Sequence, residues 1–102
     1  MPYNQTQIRD SIFHSNMDQH KQDKAVEWLE EALNKFTDAN GKERNGQEIC
    51  TFMRNNFQSE YGNNWNCIFG TNFKSGDMHY KERIWFFIDK QFNNVIFRQG
   101  NS

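Results

Sequence analysis

Long apolar runs are missing from this sequence. Nothing approaches the roughly 18 consecutive apolar residues of a membrane-crossing helix, and no charged-then-apolar leader opens the chain, so a cytosolic protein without a membrane partner is expected. An excess of basic charge is missing too. Twelve Lys and Arg stand against 13 Asp and Glu for a net charge of -1, and the positive residues are dispersed, so no stripe exists to neutralise a nucleic-acid backbone. Cysteine is scarce: Cys50 and Cys67 lie 17 residues apart without the paired C-x-x-C spacing of a zinc site or a redox dithiol, and both read as buried reduced thiols. Aliphatic residues are few, and an apolar share of 35% with a mean hydropathy of -1.04 leans toward disorder.

What is present is aromatic. Sixteen of the 102 residues are Phe, Trp or Tyr, which disordered chains avoid, so a folded domain with an aromatic core is expected. One domain this small buries only about 60 to 65% of its unfolded surface, and a second subunit would add to its core. Asparagine supplies much of the polarity but is scattered singly and in pairs, so it forms no prion-like tract.

The periodicity then divides the chain. "MPYNQTQ" shows no repeat and reads as a tail, giving a flexible segment over 1–11 and a single domain over 12–102; "SIFH" could add a short strand. In "DQHKQDKAVEWLEEALNKF", residues 18–36, Val26, Leu29, Leu33 and Phe36 recur at three and four residues with Glu27, Glu30, Glu31 and Lys35 opposite, which predicts an amphipathic helix capped by Ser15 or Asp18. After the polar loop "TDANGKERNG", a second helix over 47–61 carries Ile49, Phe52, Met53, Phe57 and Tyr61 on its buried stripe and ends at Gly62. Beyond Gly62 the period becomes two. Strands are expected near 65–71, 73–78, 80–88 and 92–98, the last two joined as a hairpin through "DKQ". In "RIWFFID" both faces are apolar, so that strand should be covered on both sides, one by the helices and the other by a partner copy. The fold class is therefore α+β: two N-terminal helices packed on an antiparallel sheet of four to five strands.

Signatures of catalysis and of cofactors do not occur: there is no P-loop, G-x-G-x-x-G, H-E-x-x-H or G-x-S-x-G. His14, His20 and His79 are far apart, and a thiol enzyme built from Cys67, His79 and Asp77 is disfavoured against an interface or core histidine. The carboxylates of Glu27, Glu30, Glu31 and Glu82 read as solvated charge rather than a facing pair. No enzyme, cofactor or metal is expected. What remains is a binding surface: "NFKSGDMH", polar and glycine-bearing between two apolar strands, reads equally well as a surface loop or as an edge strand open to β-augmentation.

Three runs, "AVEWLEEALNKF", "EICTFMRNNFQSEYGNNWNCIFGTNF" and "IWFFIDKQFNNVIFRQG", carry a resemblance to the small dimeric dynein light chain hub family, whose W-x-C-I-x-G-x-N-F pattern is highly diagnostic. The resemblance implies a homodimer, or a heterodimer with another light chain of the family, formed by exchange of the 73–78 edge strand. It also implies two grooves that bind extended segments of dynein intermediate chains as added strands. Carried over, the groove wall would be Phe73, Lys74, Ser75, Gly76, Asp77 and Met78, the floor Ile84, Phe86 and Ile88, and the polar ligand contact Gly46 and Gln47. Asn66, Ser75, Asp77 and His79 would lie at the dimer interface.

The departures shape the functional expectation. Typical members have glycine, tyrosine and valine where this chain has Lys74, Gly76 and Asp77, and Asn66 stands where the family usually has the histidine that makes its dimer acid-sensitive. A specialised paralogue is expected, a light chain of a ciliary, axonemal microtubule motor in the cytoskeleton. The alternative is a general cytosolic hub dimer binding short linear motifs of non-motor partners.

Overall fold

Asp18 starts the longest helix. Its carboxylate accepts the N–H of Lys21 at 2.8 Å, so Asp18 rather than Ser15 is the cap, and α2 runs Gln19–Phe36 with Ala25, Val26, Trp28, Leu29, Ala32 and Leu33 buried. The computed structural model describes residues 3–41, 43–71 and 79–99. Asn45 caps the next helix, α3 (Gly46–Tyr61), through the N–H of Glu48, and Ile49, Met53 and Phe57 form its buried stripe. Phe52 and Tyr61, also expected on that stripe, pack at its margin. Gly62 ends α3 at φ +92°, a conformation that side chains rarely adopt, and its N–H donates to the carbonyl of Gln58.

The sheet has the order β1-β3-β4-β2, with every neighbouring pair antiparallel: β1 (Ile12–Ser15), β2 (Trp65–Gly70), β3 (Glu82–Ile88) and β4 (Phe92–Arg98). The expected α+β class and the strand in "SIFH" are both present. Cys67 faces Ile96 and Ile96 faces Ile84, while Phe69 faces Asn94 and Asn94 faces Phe86, so these residues share the helix-covered side of the sheet. The expected 73–78 strand lies outside the described residues. The β3–β4 hairpin pairs Ile88 with Phe92 and turns through Asp89, Lys90 and Gln91; Asp89 and Lys90 take left-handed φ of +54° and +56° although neither is glycine, and the Gln91 N–H donates to the Ile88 carbonyl at 2.9 Å.

The core is aromatic, as the composition requires. Phe57 packs on Trp28 and Trp65 with ring centroids 5.1 and 4.7 Å away, and all three are buried. Glu82 corrects the reading of solvated charge: it is half-buried and pairs with Lys21 at 2.7 Å and Arg98 at 3.7 Å, joining the start of α2 to the sheet.

The N-terminal segment is the main correction. Where a flexible tail was expected, α1 (Gln5–Asp10) forms behind an Asn4 cap, and Tyr3 and Ile8 are buried in the core. The Tyr3 amide donates to Asn34 at 2.5 Å, and the Tyr3 hydroxyl donates to Asp89 at 2.8 Å while accepting from the Arg44 guanidinium. Six residues cannot hold a helix alone; this one is held by docking.

Candidate functional site

The start of α3 and strand β2 enclose a cavity of about 350 Å³, lined by Gly46, Gln47, Cys50, Thr51 and Arg54 from the helix and by Cys67 and Phe69 from the strand. Its helix wall follows from spacing, since Gln47, Cys50, Thr51 and Arg54 recur at three and four residues on one face. The Asn45 cap takes the N–H of Glu48, and among the described residues the N–H groups of Gly46 and Gln47 have no acceptor, leaving two donors at the cavity mouth. Gly46 is required by contact. A Cβ there would meet Cδ1 of Phe69 at 2.8 Å, so only a residue without a side chain lets the ring lie against the helix start.

Phe69 is itself held. It stacks on Phe92 at 5.7 Å with 23° between planes, and the Arg44 guanidinium lies 4.3 Å from the Phe92 centroid. Because Arg44 also holds Tyr3 and Asp89, the cavity wall and the docked N-terminal segment share one chain of contacts.

The thiols meet inside the cavity. Cys67 Sγ donates to Cys50 Sγ at 2.8 Å, and the Asn94 side-chain amide donates to Cys67 Sγ at 3.2 Å and to the Ile68 carbonyl at 3.0 Å. The hydrogen bond from Cys67 lowers the pKa of Cys50 below the usual thiol value against the opposing effect of burial, and the Arg54 charge lowers it further. Burial pushes Cys67 well above that value, the bond to Cys50 adds to the rise, and Asn94 opposes it. Both cysteines are free, as read from the sequence, but their meeting was not foreseen.

Strand β2 ends the sheet, and its outer edge has no partner strand among the described residues. The cavity therefore adjoins an open backbone edge, which is the arrangement needed to add an extended chain. Gly46 and Gln47, expected as the polar ligand contact, line this cavity at the start of α3. Ile84, Phe86 and Ile88 do not: they are 0, 0 and 1% exposed, because β3 lies two strands in from β2 and beneath the helices. The expected wall residues Phe73, Lys74, Ser75, Gly76, Asp77 and Met78 lie outside the described residues. Of the expected interface residues that are described, Asn66 is half-buried on the face of β2 away from the helices and His79 is exposed before β3. The sequence reading missed Cys50, Thr51, Arg54, Cys67 and Phe69, although the helical spacing from Gln47 was available to find the first three.

A sequence model described as dynein light chain type 1 matches residues 9–99. The chain belongs to the dynein light chain family. Among solved structures it is similar to the dynein light chain-like domain of the Fasciola hepatica calcium binding protein FhCaBP2. The native crystal form of that domain has a TM-score of 0.71 at 19% identity over 88% of this chain and 90% of that one. A mercury derivative of the same domain has a TM-score of 0.67 at 17% identity over 88% and 91%. At these identities the likeness concerns the light chain fold. No curated protein matches in sequence.

Proposed function

We propose that this light chain is a non-catalytic, dimeric clamp that binds extended segments of dynein intermediate chains by strand addition and supports assembly of a ciliary microtubule motor. Family membership supports the light chain role. The observation that carries the binding mode is the edge of β2, without a partner strand among the described residues, beside a cavity whose mouth presents Gln47 and the first N–H groups of α3, which have no acceptor among those residues.

The sheet's second face supports the dimer. Phe13 and Phe87 are 65 and 37% exposed there, and Phe13 packs on Trp85 at 4.8 Å. Arg83 on the same face is only 9% exposed; its guanidinium lies 3.3 Å from His14 and 4.1 Å from the Tyr80 ring, and no carboxylate pairs with it among the described residues. A buried cation with so few polar partners calls for a partner surface. A second light chain would supply that surface and the missing apolar cover.

Two measurements test the reading. Sedimentation velocity should give a dimer, alone or with a family sibling, that Phe13→Glu with Phe87→Glu dissolves while the monomer stays folded; a folded monomer under all conditions refutes the dimer. Isothermal titration should detect an intermediate-chain segment and lose the signal with Gln47→Ala. An undiminished affinity in that variant rules out this mouth as the ligand contact. The unusual Lys74, Gly76 and Asp77 imply altered specificity, and ordinary affinity for a generic glutamine-threonine ligand peptide would sink that part of the proposal.

A further inference from the structure

The geometry points to Cys50 and Cys67 as a reversible thiol–disulfide pair, a modification site that locks α3 to β2 when a peroxide oxidises it. The two residues come from different elements and from positions 17 apart, and the fold alone brings their sulfur atoms to 2.8 Å. A disulfide needs about 2.05 Å, so closure asks for less than the width of an atom.

The surroundings divide the labour between the sulfurs. Both line the cavity of about 350 Å³, which admits a small oxidant from solvent. Cys50 accepts the hydrogen bond of the pair and sits beside Arg54 in the cavity lining, an environment that favours its thiolate, the nucleophilic form. Cys67 keeps its proton and is positioned against Cys50 by the Asn94 amide. Asn94 is fully buried, and its side-chain oxygen has no partner among the described residues, so this polar group was taken into the core with only its donor side used. That donor serves the Cys67 sulfur and the adjoining strand carbonyl.

The chemistry closes with hydrogen peroxide as oxidant. The Cys50 thiolate attacks one peroxide oxygen, the O–O bond breaks, and the departing oxygen takes a proton and leaves as water, placing a sulfenic S–O–H on Cys50. The Cys67 sulfur then attacks Cys50 Sγ; the S–O bond breaks, and the hydroxide carries off the Cys67 proton as a second water. Two thiols have lost two protons and two electrons, and the peroxide has gained them. A dithiol reductant reverses the bond by exchange.

Oxidation would clamp the helix wall of the cavity to the strand whose edge is open. That this edge receives a ligand rests on the function proposed above; the formation of the disulfide does not.

The test treats the full chain with hydrogen peroxide under native conditions, quenches with catalase, unfolds, alkylates with iodoacetamide and reads the mass. The expected product carries no alkyl group, has lost the mass of two hydrogens, yields a Cys50–Cys67 cross-linked peptide and regains both alkylation sites after dithiothreitol. Cys67→Ser should stop at a Cys50 sulfenic acid trapped by dimedone, and Cys50→Ser should leave Cys67 alkylatable. Two alkylated cysteines after peroxide, or a cross-link found only between chains, would overturn the assignment. Neither readout requires a peptide ligand, so a failure of the clamp reading leaves this result standing.

Discussion

Gly46→Ala adds one methyl group at the point where α3 begins and Phe69 lies closest. The new carbon would stand 2.8 Å from Cδ1 of Phe69, nearer than packed carbons rest, so the ring or the helix start must move. The ring cannot yield freely, because it is stacked on Phe92, which is in turn covered by Arg44. Forced shifts of this kind cost about 1 to 3 kcal/mol. Against that stands the gain of alanine over glycine in a helix, at most about 1 kcal/mol and smaller in the first turn. The net is a loss of about 1 kcal/mol, which with a slope of about 2 kcal/mol per molar urea lowers the unfolding midpoint by about 0.5 M. Urea titration followed by tryptophan fluorescence reads this directly. Phe69→Leu in the same background frees space at the contact, so the Gly46→Ala penalty should shrink in the double variant. A Gly46→Ala protein as stable as the parent, or a penalty unchanged by Phe69→Leu, refutes the argument that this glycine exists for the ring.

Other predictions follow from the core and the docked N-terminus. Phe57→Ala removes the ring between Trp28 and Trp65 and should cost about 4 kcal/mol, a large part of the roughly 5 to 15 kcal/mol that holds a domain together; calorimetry showing a loss under about 1.5 kcal/mol contradicts the packing described. Tyr3→Phe deletes a hydroxyl that donates to Asp89 and accepts from Arg44, and should cost about 1.5 kcal/mol in urea unfolding. Burial raises the pKa of that hydroxyl above its ordinary 10.0, with Asp89 adding to the rise and Arg44 opposing it. The neutral form is thus the one the fold favours, so its contribution is full below pH 10.0 and is lost as pH rises through the higher folded-state value. The stability gap between parent and Tyr3→Phe should accordingly narrow in alkali, and a constant gap would exclude the linkage.

Much of this architecture was legible because long elements repeat their pattern. Val26, Leu29 and Leu33, or Ile49, Met53 and Phe57, give several turns of consistent spacing, and alternation at Trp65, Cys67 and Phe69 assigns the inner face of β2 correctly. The helix "QTQIRD" has one apolar residue, Ile8, and no repeat to detect; its stability lies in contacts with Asn34, Arg44 and Asp89, from 31 to 86 residues away from Tyr3. That Gly46 and Gln47 stand at a helix start is readable locally, because the Asn45 cap and the first turn lie next to each other in sequence. The misplacement of Ile84, Phe86 and Ile88 had a different origin: their side of the strand was readable, but the depth of β3 beneath the helices depends on strand order. The meeting of Cys50 with Cys67 likewise depends on how far along β2 the helix α3 settles, which no spacing rule gives.

The two ends of the sheet are unlike. At one end β1 is four residues long, and its register slips around Phe13, so that an incoming chain would meet a kinked, interrupted row of backbone groups. At the other end β2 runs six residues in unbroken register with its neighbour. Under the clamp function proposed above, strand addition would use the β2 border, and a chain docked there would leave the kinked β1 border on the far side of the same molecule as it was. On that reading the two unlike borders would limit growth through the sheet, which would let a protein whose β2 edge has no partner strand among the described residues remain a discrete particle instead of the first unit of a fibre.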